Sequence, residues 1–483
     1  MAHRALLSLA LIACWFVSLP TLADGPDATP EVARAIARLV QNAGLGDQVG
    51  IDVVRLHDGK SLYQRHADRP LNPASNQKLL TSAAALWRLG PTFRASTKVE
   101  GVLRGGRVDR LVLRASGDPS LGYRGLFALA QALRLRGVDY VEQIVVDESY
   151  FDVQTLPPAF DQQPNEPAAF RAAISAFSVD RNSYTVHVGP GPAPGEPGRV
   201  RVLADDYIVV ENKTTTKASG PPRLQIDHKE LPDGRLQVVV RGDVPSAVRT
   251  LYYRRRIPDP RAHAATLWVR ALRQAGMRGP LRVEHATVGE RLPVLADMSS
   301  SELSTMLYSV GKWSDNFAAE MVLKIIAAED VTPGTSARGA ELVVEELQNH
   351  GVDVEGLVLV NGSGLFDGNR VSPRHVADTL VAAYGDPAIR SEYVAQLAVG
   401  GADGTLQSRL KRLPRGRMVR AKTGTLRDVI ALSGYVLGQP NRSVAFSFLA
   451  NGIAGKQAQA RDLADAIVAV LAEYALEPDP GGD

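Results

Sequence analysis

Hydrophobic and polar positions divide the chain into stretches of different period. Residues 49–56 are strongly β-prone, His57-Asp-Gly-Lys60 reads as a turn, and residues 61–65 return, which predicts a hairpin. Leu79, Leu80, Ala83, Leu86 and Trp87 then recur at helical spacing and stop at Gly90, so Ser75 is expected to open a helix. Between 91 and 282 the pattern changes to short β-prone runs at 96–104, 108–114, 143–147, 199–210, 235–241 and 250–253, punctuated by glycine and proline. This stretch reads as an insertion, and the Gly/Pro-rich segment 189–198 as a linker or hairpin tip inside it. Helical periodicity resumes at 303–308, 317–328 and 339–349. The chain closes with strands at 418–425, 429–436 and 444–450 and an amphipathic helix at 458–474. Three antiparallel strands between helices are the expected scaffold, and there is no internal repeat.

Length and composition add bounds. The 483 residues, 45% hydrophobic and 22% charged, suffice for two or three cores and exclude a disordered or fibrous chain. With 55 basic against 52 acidic residues the net charge is only +3, too balanced to imply a nucleic-acid partner. The N-terminus carries Arg4, an apolar run from 5 to 17 and Ala23 before Asp24, the pattern of an export signal cleaved after Ala23. Cys14 is the one cysteine, so no intrachain disulfide forms, and Leu11-Ile-Ala-Cys14 leaves lipid anchoring as a lesser alternative. No later stretch offers about 18 uninterrupted apolar residues, so membrane association is expected to be peripheral at most.

Three short motifs carry the chemistry: Ser75-Asn-Gln-Lys78, Ser314-Asp-Asn316 and Lys422-Thr-Gly424-Thr425. Ser-x-x-Lys alone means little, because it recurs by chance at Ser309-Val-Gly-Lys312. The ordered triple is far rarer, and it is the known signature of penicillin-binding proteins and class A β-lactamases. A spacing of three on a helix puts Ser75 and Lys78 on one face, about 5–6 Å apart at Cβ, within reach of direct proton transfer. In a strand, Lys422 and Gly424 share one face and Thr423 and Thr425 the other, and Gly424 lets another group approach the backbone. No histidine pair has metal-ligand spacing, so neither a metal nor another cofactor is expected.

The chain resembles the penicillin-binding protein 4-like D-alanyl-D-alanine carboxypeptidase/endopeptidases. Besides the three motifs, the resemblance rests on Gly117-Asp-Pro-Ser-Leu121, Val145-Val-Asp-Glu-Ser-Tyr-Phe151, Ser178-Val-Asp-Arg-Asn182, Asn361-Gly-Ser-Gly-Leu365, Asn369-Arg-Val-Ser-Pro373 and Gly404-Thr-Leu406. It implies a multidomain α+β architecture: a β-lactamase/transpeptidase-like catalytic domain (24–92 and 290–483), an antiparallel sheet flanked by helices. That domain would be split by an inserted, mainly β, two-part domain, with part II at 93–185 and 252–289 and part III at 186–251. It also implies a periplasmic enzyme that trims peptidoglycan stem peptides and cross-links and that β-lactam antibiotics acylate.

On that resemblance Ser75 is the expected nucleophile and Lys78 its base, with the lysine's proton affinity lowered by burial, by Lys422 and by the helix terminus. Ser314 would relay the proton, Asn316 would bind the substrate amide, and Lys422, Thr423 and Thr425 would hold the terminal carboxylate. Phe170 matches a family aromatic near the pocket, although a place in the core is its plainer reading. Two departures stand out. Phe366-Asp367 replaces the family's Ser-Arg, and Arg427 stands where glutamine is frequent, so Arg427 either takes over binding of a distal carboxylate or pairs with Asp367. The alternatives are a serine β-lactamase, for which no deacylating glutamate is evident, and a catalytically silent peptidoglycan-binding protein.

Overall fold

The computed structural model describes residues 29–202, 206–413 and 418–478. The expected signal segment, with Cys14, lies outside them. A six-stranded antiparallel sheet forms the centre of one half, in the order Ala398–Val399, Val419–Leu426, Val429–Val436, Val444–Ala450, Val49–Arg55, Ser61–Arg65. The three C-terminal strands are thus extended by the N-terminal hairpin, because Val49–Arg55 pairs along its whole length with Val444–Ala450. Every residue of Val429–Val436 and of Val444–Ala450 is buried. A strand buried on both faces needs cover on both.

One face carries the helices Thr29–Ala43 and Gln457–Leu476, packed through Ile36, Phe446, Ile467 and Leu471. The other carries Gln77–Leu89, Asn316–Ala328, Ser336–Asn349 and Pro373–Gly385, whose apolar sides meet around Leu80, Val322, Leu342 and Leu380. Thr29–Ala43 and Pro373–Gly385 went unnoticed in the sequence pattern. The second begins with a reciprocal cap in which Ser372 Oγ accepts from the His375 N–H and His375 Nδ1 accepts from the Ser372 N–H.

The insertion is built on a five-stranded mixed sheet, Arg282–His285, Tyr140–Asp147, Arg107–Ala115, Ser96–Glu100, Val294–Ser299. The insert is mainly β, as expected, and two features fill in that picture. Helices Tyr123–Leu135 and Pro260–Gln274 pack on it through Leu126, Leu129, Leu267 and Trp268. Val294–Ser299 pairs with Ser96–Glu100, which keeps the chain with the inserted sheet until about residue 300. Two three-stranded sheets make the nested part, and segment 189–198 joins the paired strands Ser183–Gly189 and Arg199–Arg201, as a hairpin tip does.

Candidate active site

The helix Gln77–Leu89 is preceded by one tight turn, Ala74–Asn76, so Ser75 sits just ahead of the helix instead of at its first residue. Asn76 locks this turn to the middle of the sheet: its Nδ2 donates to Ser433 Oγ at 2.6 Å, and Ser433 Oγ donates to Ser447 Oγ at 3.1 Å. Two glycines permit the close approach. A Cβ on Gly424 would meet the Pro73 carbonyl and Ala74 Cβ at 3.1 Å each, and one on Gly364, which has φ +70°, would lie 1.8 Å from the Ala74 carbonyl oxygen. Ala74, Ser314 and Phe366 all hold positive φ without being glycine, strain that folded proteins tend to concentrate at working sites.

Lys78 Nζ stands 3.0 Å from Ser75 Oγ and donates to Asn316 Oδ1 at 2.7 Å and to the Ser363 carbonyl at 2.6 Å. Asn316 Nδ2 donates to the Phe170 carbonyl at 2.9 Å, which fixes which end of that amide faces the lysine. A neutral amine has two hydrogens and one lone pair. Both hydrogens are taken by oxygens, so the lone pair is left for the Ser75 hydroxyl. Burial pushes the Lys78 ammonium down to about 7, while the carboxylates of Glu320 and Asp315 act to raise it. Burial accounts for the lowering, and the expected help from Lys422 and the helix terminus does not figure in it. The mutual repulsion falls on Lys422, which burial and then the charge of Lys78 push well below the ordinary lysine range.

Lys422 Nζ donates to Ser314 Oγ and to the Thr423 carbonyl, each at 2.8 Å. Thr423 Oγ1 donates to Thr405 Oγ1 at 2.8 Å, so that hydroxyl is tied to the neighbouring turn. A cavity of about 690 Å3 opens over this cluster, and Ser75, Phe170, Ser314, Asn316, Thr425 and Arg427 all line it. Lys78 and Lys422 lie fully buried behind its wall. Phe170 is not in the core: it is 47% exposed and faces the cavity. Its segment belongs to the insertion, as does Gln162, whose Nε2 donates to the Asp367 carbonyl at 2.8 Å, so the inserted half walls the site.

The suggested pairing of Arg427 with Asp367 does not occur. Asp367 accepts from Arg370 Nη1 at 2.6 Å and from Asn72 Nδ2 at 3.3 Å, and the Arg427 guanidinium has no protein partner among the described residues. The second Ser-x-x-Lys is structural: Lys312 Nζ donates to Asp403 Oδ2 at 2.7 Å and to the Leu397 carbonyl at 2.9 Å.

Sequence reasoning missed Glu320, which is fully buried beneath Lys78 and accepts from the Gly362 and Ser363 N–H groups at 3.1 and 2.8 Å. Its signal was available, four residues after Asn316 on the same helix face. Burial raises its carboxyl pKa, and the bonds from Ser363 and Gly362 oppose that rise. Glu320→Gln keeps the shape but loses one oxygen acceptor, so stability should fall by roughly 1–3 kcal/mol. It also removes a charge that raises Lys78, so the acid limb of the acylation rate should move to lower pH. A stopped-flow pH profile that stays in place would show that Glu320 carries no charge in the working enzyme.

The sequence model of the D-Ala-D-Ala carboxypeptidase 3 (S13) family matches residues 32–474. The chain is 36% identical over 485 residues to a D-alanyl-D-alanine carboxypeptidase of Actinomadura sp., covering 96% of this chain and 88% of that protein. It is 26% identical to the D-alanyl-D-alanine carboxypeptidase DacB of Haemophilus influenzae, covering 90% of each. The crystal structure of penicillin binding protein 4 from Haemophilus influenzae superposes with a TM-score of 0.75 at 24% identity, covering 87% of this chain and 93% of that one.

Proposed function

The chain belongs to the D-Ala-D-Ala carboxypeptidase 3 (S13) family and is a serine-type hydrolase with the penicillin-binding protein 4 fold, and on that premise we propose how it acts and on what. It cleaves D-alanyl-D-alanine termini and D-alanyl cross-links of peptidoglycan stem peptides through an acyl-enzyme on Ser75, working in the periplasm after export. Neutral Lys78 takes the Ser75 proton as Oγ attacks the carbonyl of the penultimate D-alanine. The N–H groups of Ser75 and Thr425 stabilise the oxyanion, each worth about 3 kcal/mol of barrier in comparable sites. Ser314 passes a proton to the departing D-alanine nitrogen. Asn316 orients Lys78 and the Phe170 segment and offers its remaining amide hydrogen to the substrate. Thr425 holds the terminal carboxylate, Lys422 attracts it by its charge from behind the wall, and Thr423 braces that strand through Thr405. An arriving carboxylate favours the charged form of Lys422, so the ion pair is made on binding.

The observation that carries this reading is the hydrogen-bond set of Lys78, whose donors are occupied while Ser75 Oγ lies at 3.0 Å. The β-lactamase reading needs a base that reaches water at the acyl carbon. Glu320, the carboxylate nearest Lys78 in the motif helix, is sealed under that lysine with no exposure. The lifetime of the penicillin acyl-enzyme separates the two: hours fit the peptidase, and turnover in fractions of a second would overturn it.

Arg427 supplies the cation for a distal carboxylate of the stem peptide, since Asp367 is already paired with Arg370 and the Arg427 guanidinium has no partner among the described residues. Arg427→Ala should raise KM about tenfold for peptides whose third residue carries a free carboxylate, with kcat little changed. Unaltered KM on diaminopimelate-containing peptides would remove Arg427 from the binding site.

A further inference from the structure

A second cleft, of about 1080 Å3, lies in the inserted half between the start of helix Tyr123–Leu135, helix Pro260–Gln274 and strand Ser183–Gly189. Two residues on its wall each carry a buried polar atom that has no hydrogen-bond partner among the described residues: Tyr184, 5% exposed, at Oη, and His263, 1% exposed, at Nδ1. Burying one such group unpaired costs about 1–3 kcal/mol, so two beside one cleft leave bonding capacity that an occupant could satisfy.

The charges of the cleft are unevenly satisfied. Its carboxylates are engaged within the protein: Asp118 accepts from Ser120 N and Oγ at 2.7 and 2.6 Å, and Asp180 accepts from the Tyr123 N–H. Its guanidiniums are engaged less completely, Arg181 with Asp315 apart. Arg124 has no protein partner among the described residues, and Arg254 makes one side-chain bond, from Nε to Ser183 Oγ at 2.9 Å. Arg270 lies over the Tyr123 ring at 5.5 Å and reaches Asp206 only at 3.6 Å. The vacant bonding capacity is therefore cationic and hydroxyl- or imidazole-like, suited to an anion bearing several further hydrogen-bonding groups.

We propose that this cleft is a second, non-catalytic site that holds an acidic glycopeptide of the substrate polymer, a disaccharide carrying its stem peptide, while another part of the polymer occupies the Ser75 cavity. The choice of glycopeptide rests on the carboxypeptidase reading; the presence of a site rests on the cleft itself. Arg181 connects the two places. It lines the cleft, and its Nη1 lies 2.9 Å from Asp315 Oδ2, while Asp315 Oδ1 caps the helix that begins at Asn316. It is held by three successive left-handed residues, Asp180, Arg181 and Asn182, with φ of 51°, 58° and 46°. Such a run costs roughly 1–2 kcal/mol per residue, so it persists only where the surroundings enforce it.

The test is calorimetric binding of a disaccharide-tripeptide, which lacks D-alanine and cannot be hydrolysed, to the full-length protein before and after acylation by benzylpenicillin. Binding should survive acylation, weaken at least tenfold in Arg124→Glu and several-fold in Tyr184→Phe. Both variants should hydrolyse a short acyl-D-alanyl-D-alanine peptide within twofold of the parent, and Tyr184→Phe should melt no lower, because the lost hydroxyl had no partner to lose. Loss of all binding on acylation, unchanged binding in both variants, or displacement by an equal concentration of inorganic phosphate would each overturn the proposal. Failure to acylate or to hydrolyse the short peptide sinks the carboxypeptidase reading instead, and the response of glycopeptide binding to the two variants still decides the cleft.

Discussion

Replacing Ser75 by alanine should abolish covalent labelling by fluorescent penicillin and lower release of D-alanine by a factor on the order of 10^5 to 10^6, as loss of the nucleophile does in comparable serine hydrolases. Two neighbouring hydroxyls are already engaged. Ser314 Oγ accepts from Lys422, and the Thr423 hydroxyl is held by Thr405. The fold should be indifferent to the change, because the turn is held by Asn76 through Ser433 and by the Ala74 N–H donating to Asn72 Oδ1 at 2.9 Å, none of which uses the Ser75 side chain. Labelling gels and thermal melts on the same preparation check both halves. Labelling that persists in Ser75→Ala would mean the nucleophile is elsewhere.

Lys78→Met should cost about 10^2 to 10^4 in acylation rate by removing the proposed general base from an otherwise intact cavity. In the parent enzyme the rate should be half-maximal near pH 7, because Lys78 titrates at about 7, and should fall tenfold per pH unit below that as the amine takes its proton. The variant should lose this acid limb along with the rate. The same group bears on stability with a definite sign. Its folded pKa of about 7 lies below the unfolded value of 10.5, so between those limits the unfolded chain binds the proton that the folded chain releases. The Lys78 contribution to stability therefore improves as pH climbs from about 7 to about 10.5, and that slope should flatten in Lys78→Met. An acid limb that survives in Lys78→Met would assign the titration to another group.

Local signals were sufficient for most of the catalytic half. The hairpin at 49–65, the helix after Ser75 and the three terminal strands are all present, because alternation and helical periodicity report which side of an element is buried, and that information is contained within a few residues. The helices Thr29–Ala43 and Pro373–Gly385 had the same kind of signal, in Val32, Ile36 and Val40 and in the Ser372 cap, and were overlooked although it was present. The inserted half was less transparent, since helices Tyr123–Leu135 and Pro260–Gln274 lie among short strands that dominate the local pattern.

From the sequence alone came the proposed reacting groups, their order, and the i, i+3 spacing that brings Ser75 to Lys78, because a tight turn running into a helix sets that distance locally. Everything that depends on convergence belonged to tertiary structure. Sequence separation says nothing of whether Asn316, 238 residues on, and the Ser363 carbonyl, 285 residues on, consume the two donors of Lys78. Burial, and with it the lowered proton affinity of both lysines, is likewise a property of what packs around them, not of the motif. The same holds for Phe170, which local hydrophobicity assigns to a core and the folded chain turns outward into the cavity, and for Glu320, whose role appears only once the 361–365 loop closes over it. Distances between remote segments are set by the summed packing of whole layers, and no short stretch of residues encodes them.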